Sequence, residues 1–316
     1  DAPKGFLPAI GKLDHLRFPA EGARIDSGVR AGDEITPFYD PMIAKVIVHG
    51  PTRGAALGKL LAALEETQVA GCVTNAGFLA ALCRHQGFAE GDVDTGLIDR
   101  DLESLISEPA PADEAISLAA LAALGLTSPA SGTDPWDNLA GWRLWSASRQ
   151  FALLEYDGEQ RDVEVHAQGA GRFAVHLDGT PRTFELIDVG DTSLIFDCDG
   201  IRKRAAISAG QAELTVFFDG HAHTFGLPDR LTDDEDAAGA GDQVIAPMPG
   251  LVKVLEGAAG DVVTEGQPLV ILEAMKMEHT LKAPRDGVIG ELLVEAGEQV
   301  QDGTVLLVLE EEIDAA

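Results

Sequence analysis

Asp-Gly recurs four times in the middle of the chain, at residues 157–158, 178–179, 199–200 and 219–220. Each pair is flanked by segments in which apolar and polar residues alternate, as in "FALLEYDGEQRDVEVHA". Because both central residues of a tight hairpin turn need positive φ, Asp-Gly in this setting is the strongest local signal of a β-hairpin. Four hairpins predict eight antiparallel strands over residues 136–230. Eight short strands favour a closed barrel, which leaves no exposed edge.

A second constraint is an internal repeat in residues 243–311. At one constant offset and without a gap, equivalent residues recur as Ala246 and Ala283, Gly250 and Gly287, Gly266 and Gly303, and Leu269 and Leu306. Two copies of several short strands predict a small domain of two similar sheets related by a pseudo-twofold axis. The first copy ends in "LEAMKMEHT", so Lys276 is expected at an exposed hairpin turn.

The remaining segments complete a multidomain α+β and β chain. Residues 1–107 predict an α+β lobe, in which "YDPMIAKVIVHG" is a buried-strand pattern and helices follow Thr52, follow Asn75 and cover about 97–106. Residues 108–135 predict a connector with a short helix that Asp113 caps and Gly125 ends. Residues 231–242 form an acidic Ala/Gly linker, and residues 243–316 form the last domain.

Composition excludes several classes of protein. With 53 acidic and 23 basic residues, the formal net charge of −30 disfavours binding to nucleic acid. Three cysteines, Cys72, Cys83 and Cys198, are far apart and predict neither a disulfide framework nor a zinc knuckle. No apolar run approaches the length that a bilayer requires. The N-terminus does not resemble a signal peptide, and we expect the chain to belong to a longer protein.

Lys276 is placed to be modified, because it is expected at an exposed tip beside a flexible linker. Its amine can attack an activated carboxyl group and form a neutral amide. Met275 and Met277 would form an adaptable apolar collar around it. The alternative is a surface lysine between two methionines that fill a core. The repeat, the tip and the linker together favour modification.

Residues 243–311 resemble a biotinyl carrier domain. Ala274-Met275-Lys276-Met277 matches the biotinylation motif of that family, and "APMPG" at 246–250 matches it as well. Lipoyl domains share the flattened β-barrel of two quasi-symmetric halves, but they usually carry an acidic residue directly before the lysine, where this chain has Met275. The resemblance therefore implies biotin as the cofactor, bound covalently to Lys276. A lipoyl carrier remains the alternative.

The first lobe resembles the C-terminal lobe of biotin carboxylase, an ATP-grasp enzyme, in "FLPAIG" (6–11), "YDPMIAKV" (39–46) and "VTN" (73–75). Arg24 stands as far before Asp40 as the catalytic arginine of the family stands before the Asp of that motif. The resemblance implies that Arg24 stabilises the biotin enolate and helps to hold bicarbonate. The parts of the family that bind ATP and Mg²⁺ should precede residue 1, so this chain alone is expected to be inactive in biotin carboxylation.

The order of lobe, helix, barrel, linker and biotinyl domain resembles the biotin-bearing α subunit of acyl-CoA carboxylases. "DPWDNLAGWRLW" (134–145) and "EAMKMEHT" resemble the 3-methylcrotonyl-CoA branch of that family. This implies carboxylation of biotin from ATP and bicarbonate, followed by carriage of carboxybiotin to a carboxyltransferase β subunit. A propionyl-CoA or geranyl-CoA carboxylase α subunit and a non-catalytic carrier remain alternatives.

The same resemblance implies the partners and the location. The barrel would contact the β subunit, which binds the acyl-CoA, and a biotin protein ligase would modify the lysine. The assembly is expected to be a large hetero-oligomer without nucleic acid or membrane. It would lie in the cytoplasm of a bacterium or in the mitochondrial matrix of a eukaryote.

Histidines and tryptophans offer three further candidate groups of functional residues. His221 and His223 share a face of one strand, and without a third ligand nearby in sequence they favour solvent-facing histidines over a metal site. His279 closely follows the lysine turn. Trp136, Trp142 and Trp145 favour core packing, or an anchor for the partner subunit if one is exposed.

Stiffening the linker tests whether the whole biotinyl domain moves between sites. A flexible segment of this length has a root-mean-square span of only roughly 18 Å, so the domain itself must swing. Prolines within residues 232–242 should lower the overall carboxylation rate of the full-length subunit with its β partner, while biotin attachment continues. Equal carboxylation rates for the stiffened and native subunits would count against a swinging domain.

Overall fold

The computed structural model describes residues 1–127, 148–169, 171–210, 212–228, 243–274, 277–301 and 303–310. These residues form a lobe of small sheets and helices, a barrel with a helix, and a unit of two sheets. The multidomain α+β and β architecture is therefore confirmed. Within the described residues, no helix is both long enough and apolar enough to cross a membrane.

The first lobe combines three two-stranded antiparallel sheets with four helices. The paired strands are β1 (Gly11–Lys12) with β4 (Glu34–Ile35), β2 (His15–Arg17) with β6 (Gln68–Ala70), and β3 (Arg24–Ser27) with β5 (Ala44–Ile47). The helices are α1 (Arg53–Glu66), α2 (Ala76–Arg84), α3 (Gln86–Glu90) and α4 (Leu97–Ile106).

The predicted helix starts hold, with one difference in detail. Thr52 caps α1 by accepting a hydrogen bond from the backbone N–H of Ala55 at 3.2 Å. Asn75 occupies the cap of α2, but its side chain makes no capping hydrogen bond. The short helix α3 was not predicted. It begins after His85, whose Nδ1 accepts from the backbone N–H of Phe88 at 3.3 Å.

The long buried strand predicted in "YDPMIAKVIVHG" is wrong. Only Ala44–Ile47 is a strand, and its residues alternate between half-buried and exposed. Tyr39 is 82% exposed and Met42 is 51% exposed. Pro41 lacks a backbone N–H and so interrupts a strand ladder. The exposed residues of β5, Lys45 and Ile47, show that one face of the β3–β5 ribbon is open to solvent.

The middle of the chain forms the predicted closed barrel, in which each strand is antiparallel to its neighbours in sequence. The eight strands are β7 (Ser148–Tyr156), β8 (Glu159–Gly169), β9 (Arg172–Leu177), β10 (Thr180–Val189), β11 (Ser193–Cys198), β12 (Ile201–Ala209), β13 (Glu213–Phe218) and β14 (His221–Gly226). The barrel closes where Gly226 of β14 pairs with Glu155 of β7.

All four Asp-Gly turns have positive φ at both residues, as predicted. The aspartates have φ values of 46° to 52°, and the glycines that follow have φ values of 74° to 87°. Because successive strands run in opposite directions, the four turns share one end of the barrel. Strand β14 consequently ends, and the chain leaves the barrel, at the opposite end.

The helix expected in the connector is instead the core of the barrel. Helix α5 (Asp113–Ala123) packs against β7, β8, β9, β12 and β13, and every residue from Ala115 to Leu121 is buried. A helix that is apolar on all sides must be enclosed. Its buried hydroxyl, on Ser117, donates to the backbone carbonyl of Asp113 at 2.7 Å.

Charged contacts hold α5 at the turn end of the barrel. Asp113 is the first helical residue and not the predicted cap, a position that Ala112 occupies. Its carboxylate instead accepts from Arg182 of β10 at 2.8 Å, while Glu114 accepts from Lys203 of β12 at 2.7 Å. Acidic residues also suit the positive end of a helix dipole. The predicted helix end at Gly125 is confirmed by its φ of 69° and by its N–H, which donates to the carbonyl of Ala122.

The C-terminal unit consists of two four-stranded sheets, with strand orders β15-β22-β20-β17 and β19-β18-β16-β21. The strands are β15 (Gln243–Ile245), β16 (Gly250–Leu255), β17 (Val262–Val263), β18 (Pro268–Ala274), β19 (Met277–Lys282), β20 (Gly287–Leu292), β21 (Gln299–Val300) and β22 (Val305–Glu310). Each sheet contains strands from both copies of the sequence repeat.

Reciprocal hydrogen bonds establish the pseudo-twofold relation between the copies. The N–H of Gly266 donates to the carbonyl of Ala283, and its equivalent, Gly303, donates to Ala246, both at 2.9 Å. A second exchange runs from Gly260 to Ile289 and from Gly297 to Val252, both at 2.7 Å. Each half thus supplies what the other half needs, so neither half is expected to fold alone.

Replacing Leu118 with Ala tests whether α5 is the barrel core. Leu118 is fully buried among barrel side chains, so the cavity left by Ala should lower the free energy of unfolding by about 2–5 kcal/mol in denaturant titration. The control is Ile187→Ala on β10, where the side chain is 42% exposed and the change should be about 0.5 kcal/mol or less. Equally small losses in both variants would contradict a buried helix.

Candidate functional site

Strands β18 and β19 present the sequence motif that was singled out for modification. They pair antiparallel from Pro268 and Lys282 to a final pair, Ala274 opposite Met277. Residues 275 and 276 join these paired ends. The predictions for Met275 and Lys276 lie outside the described residues, as do the side chains of Ala274 and Met277.

The described part of this hairpin is packed into the core of the C-terminal unit. Strand β18 lies between β19 and β16, and its Leu269, Val270 and Leu272 are essentially fully buried in the core of the unit. On β16, Lys253 forms an ion pair with Glu273 at 3.3 Å, close to the end of the hairpin. The last paired residues of the hairpin are therefore anchored to the core of the unit.

His279 belongs to the inner face of the hairpin. It pairs with Leu272, and residues directly opposite in an antiparallel ladder point to the same face. Its Nε2 is buried and has no hydrogen-bond partner among the described residues. An unsatisfied buried nitrogen of this kind costs about 1–3 kcal/mol. The histidine that follows the motif is thus part of the inner packing, not an exposed group beside the turn.

Arg24, the predicted catalytic residue, lies at the start of β3 with a side chain that is 73% exposed. Its Nε donates to Oδ1 of Asp26 at 2.9 Å, and its Nη2 donates to Oδ2 at 2.8 Å. The hydrogen bond to Asp26 raises the pKa of Arg24, and the same hydrogen bond lowers the pKa of Asp26. The two side chains therefore stay ionised together.

Asp26 also connects Arg24 to the "YDPMIAKV" motif. It pairs across the ladder with Lys45 of β5, so the two side chains share the exposed face of the ribbon. A cavity of about 340 Å³ is lined by residues that include Asp26, Tyr39, Asp40, Met42 and Lys45. The structure thus brings the segment after the predicted Arg24 next to the motif that identified it.

Sequence reasoning missed Asp26 and Lys45. One signal was available for Asp26, since residues two apart on a strand point to the same side. The partnership with Lys45 depends on the register between β3 and β5, which the sequence pattern does not specify. Arg24 and the lysine hairpin lie in separate units, the first in the lobe and the second in the C-terminal unit.

His221 and His223 share a face, with ring centroids 6.1 Å apart, as predicted. The interpretation of both as solvent-facing is wrong, because His223 is only 5% exposed. Its Nδ1 lies 3.4 Å from the hydroxyl of Tyr156 on β7. Burial, followed by the nearby His221, lowers the pKa of His223. The described residues contain no group of three or more ligand side chains placed to hold a metal.

The three tryptophans and the acidic linker lie outside the described residues. The three cysteines are free, and Cys83 and Cys198 are buried.

Three known protein families match successive parts of this chain. Residues 1–100 match the biotin carboxylase C-terminal domain, residues 112–229 match the BT domain of the methylcrotonyl-CoA carboxylase alpha subunit, and residues 242–309 match the family described as biotin-requiring enzyme. Together these matches cover the lobe, the barrel with its helix, and the C-terminal unit.

Curated relatives match across all three units. The mitochondrial methylcrotonoyl-CoA carboxylase subunit alpha of Dictyostelium discoideum is 33% identical over 326 residues, covering 96% of this chain and 46% of that protein. The propionyl-CoA carboxylase alpha chain of Ruegeria pomeroyi is 29% identical over 353 residues, covering 98% of this chain and 50% of that protein. The chain thus spans about half the length of the curated relatives it matches.

One solved structure, the biotin carboxylase domain of Hydrogenobacter thermophilus 2-oxoglutarate carboxylase, is 30% identical. It covers 34% of this chain and 24% of its own, with a TM-score of 0.33.

The buried His223 predicts a pH dependence of stability. The pKa of His223 is lower in the folded protein than in the unfolded chain. Neutral His223 therefore contributes to the free energy of unfolding above the unfolded pKa of about 6.5. This contribution is lost as the pH falls towards the folded pKa, because the histidine of the unfolded chain binds a proton first. His223→Phe should flatten the decline in the free energy of unfolding between about pH 7 and 5.5. The exposed His49 supplies the control, His49→Gln, which should keep the decline. An unchanged decline in His223→Phe would refute this assignment.

Proposed function

This chain belongs to the biotin-dependent carboxylase family, in which it corresponds to the C-terminal part of the α subunit, and we propose that it carries biotin on Lys276. The observation that carries the proposal is the hairpin of the C-terminal unit. The motif lysine follows and precedes the paired strand ends, Ala274 and Met277, and leucines of the same hairpin are buried in the core of the unit. A lysine amine is the group that forms an amide with the carboxyl group of biotin. When attached, biotin would supply a ring nitrogen that accepts and releases a carboxyl group.

The residues around Arg24 fit an oxyanion substrate. A guanidinium keeps its charge at every working pH and presents its donors in a fixed fork, which suits bicarbonate or a developing negative charge. Arg24 is exposed on the ribbon, and its partner Asp26 lines the cavity together with residues of the motif. We assign Arg24 to binding and orienting the oxyanion in the full-length subunit, which would also use ATP and Mg²⁺.

The barrel would join this subunit to a carboxyltransferase β subunit. The match of residues 112–229 to a BT domain supports this assignment. The chain leaves the barrel at the end opposite the Asp-Gly turns, so the biotinyl unit would be tethered there. Contact with the β subunit would place the tether beside the second reaction site.

We further propose 3-methylcrotonyl-CoA as the substrate, handled on the β subunit. The support is the match of residues 112–229 to the BT domain of the methylcrotonyl-CoA carboxylase alpha subunit, together with identities of 29% to 34% to methylcrotonoyl-CoA carboxylase subunits and of 28% to 29% to propionyl-CoA carboxylase chains. Co-purification with the β subunit, followed by carboxylation assays with several acyl-CoAs, tests this choice. A preference for propionyl-CoA or geranyl-CoA would replace the proposed substrate without affecting the assignment of biotin to Lys276.

Lys276→Ala should remove the covalent group entirely. Intact mass of the native chain, co-expressed with biotin protein ligase, should show one biotin amide, and the variant should show none. Lys282→Ala, at the far end of β19, is the control and should keep the full mass gain. A mass gain equal to lipoate would support the lipoyl alternative, and a biotin on Lys276→Ala would place the attachment elsewhere.

A further inference from the structure

Asp26 occupies one edge of the Arg24 guanidinium. A guanidinium has two edges that can each make a pair of parallel hydrogen bonds, one formed by Nε and one Nη, the other formed by the two Nη groups. Asp26 takes the edge formed by Nε and Nη2, at 2.9 and 2.8 Å. The edge formed by both Nη groups remains for a planar oxyanion with the same spacing of acceptors.

The ion pair between Arg24 and Asp26 contributes little to the stability of the fold. The side chains of Arg24 and Asp26 are 73% and 42% exposed, and ion pairs at exposed positions contribute little to stability. A bidentate pair nevertheless fixes the direction of a long side chain. The consequence of the contact is therefore orientation of the guanidinium.

Local charge supports the same conclusion. One carboxylate beside one arginine would cancel its attraction for an anion. Lys45 lies directly across the ladder from Asp26 and contributes to the lowering of its pKa. The group contains two basic side chains, Arg24 and Lys45, and one acidic side chain, Asp26. Lys45 thus offsets the charge of Asp26 while one guanidinium edge is held.

We propose that Asp26 is a positioning residue that holds Arg24 by one edge and aims the other edge at the oxyanion substrate, bicarbonate or the group that reacts with it. This inference rests on the proposed function of Arg24. It adds a residue that would not touch the substrate but would set the geometry of the one that does.

A second ion pair in the same lobe provides a matched control. Nη1 of Arg100 donates to both carboxylate oxygens of Asp94, at 2.9 and 3.0 Å, and the side chains are 58% and 61% exposed. This pair lies on the segment before α4 and on α4 itself, away from the motif residues that line the cavity. Because Oδ1 of Asp94 also accepts from the backbone N–H of Gly96 at 2.7 Å, removing this carboxylate should cost at least as much general stability as removing Asp26.

The kinetic test compares variants of the full-length biotinylated subunit in bicarbonate-dependent cleavage of ATP. Asp26→Asn should lower kcat by about 10- to 100-fold, the range expected for a misplaced reacting group, with a smaller change in KM for bicarbonate. Asp26→Glu should restore most of kcat, while Asp94→Asn should match the native subunit. Native kcat in Asp26→Asn, with activity lost in Arg24→Gln, would overturn the positioning role and leave the function of Arg24 intact. Native activity in Arg24→Gln would overturn both.

A second readout on this chain does not depend on activity. In ¹⁵N NMR spectra, the Nε–H of Arg24 should give a signal that is protected from exchange and that broadens or shifts in Asp26→Asn. The midpoint of thermal unfolding should be the same in Asp26→Asn as in the native chain, as for other surface substitutions. An unprotected Arg24 signal in the native chain would show that the two side chains do not pair in solution and would overturn the proposal.

Discussion

The hairpin of β18 and β19 depends on the exchange of backbone hydrogen bonds between the two halves of the C-terminal unit. Gly266 and Gly303 adopt the positive φ values of 80° and 79° that bring each turn against the other half. The exchange closes a core in which β18 is a central strand. With β18 fixed, β19 has only one register that places Ala274 opposite Met277. The two halves therefore hold the β18–β19 hairpin in one register.

The strands of the barrel do not fill its core by themselves. Helix α5 supplies that core, and ion pairs from Asp113 and Glu114 to β10 and β12 fix its direction. Burial tends to raise the pKa of Glu114, but hydrogen bonding to Lys203 and the nearby positive charges hold that pKa below its usual value. The helix cannot be reversed without leaving both carboxylates unpaired. The two ion pairs therefore fix which end of α5 lies beside the Asp-Gly turns.

Sequence reasoning succeeded where the determinant is local. Positive φ at Asp-Gly and the cap at Thr52 are properties of neighbouring residues, and both predicted features formed. It failed where burial depends on distant partners. His223 of β14 lies against the hydroxyl of Tyr156, which belongs to β7. Helix α5 is buried inside a barrel that residues later in the chain form. Arg24 and Lys276 came from motif resemblance, whereas the role of Asp26 required the observed contact with Arg24 and the register of β3 with β5.

The central claim is that one lysine carries the reacting group between two sites. The most direct measurement is to supply radiolabelled bicarbonate and ATP to the full-length biotinylated subunit without its β partner, and to map the label by peptide. We expect the label to be acid-labile, to depend on ATP and to be confined to the peptide that contains Lys276. Label on a different peptide, or none on a subunit that is fully biotinylated at Lys276, would contradict it.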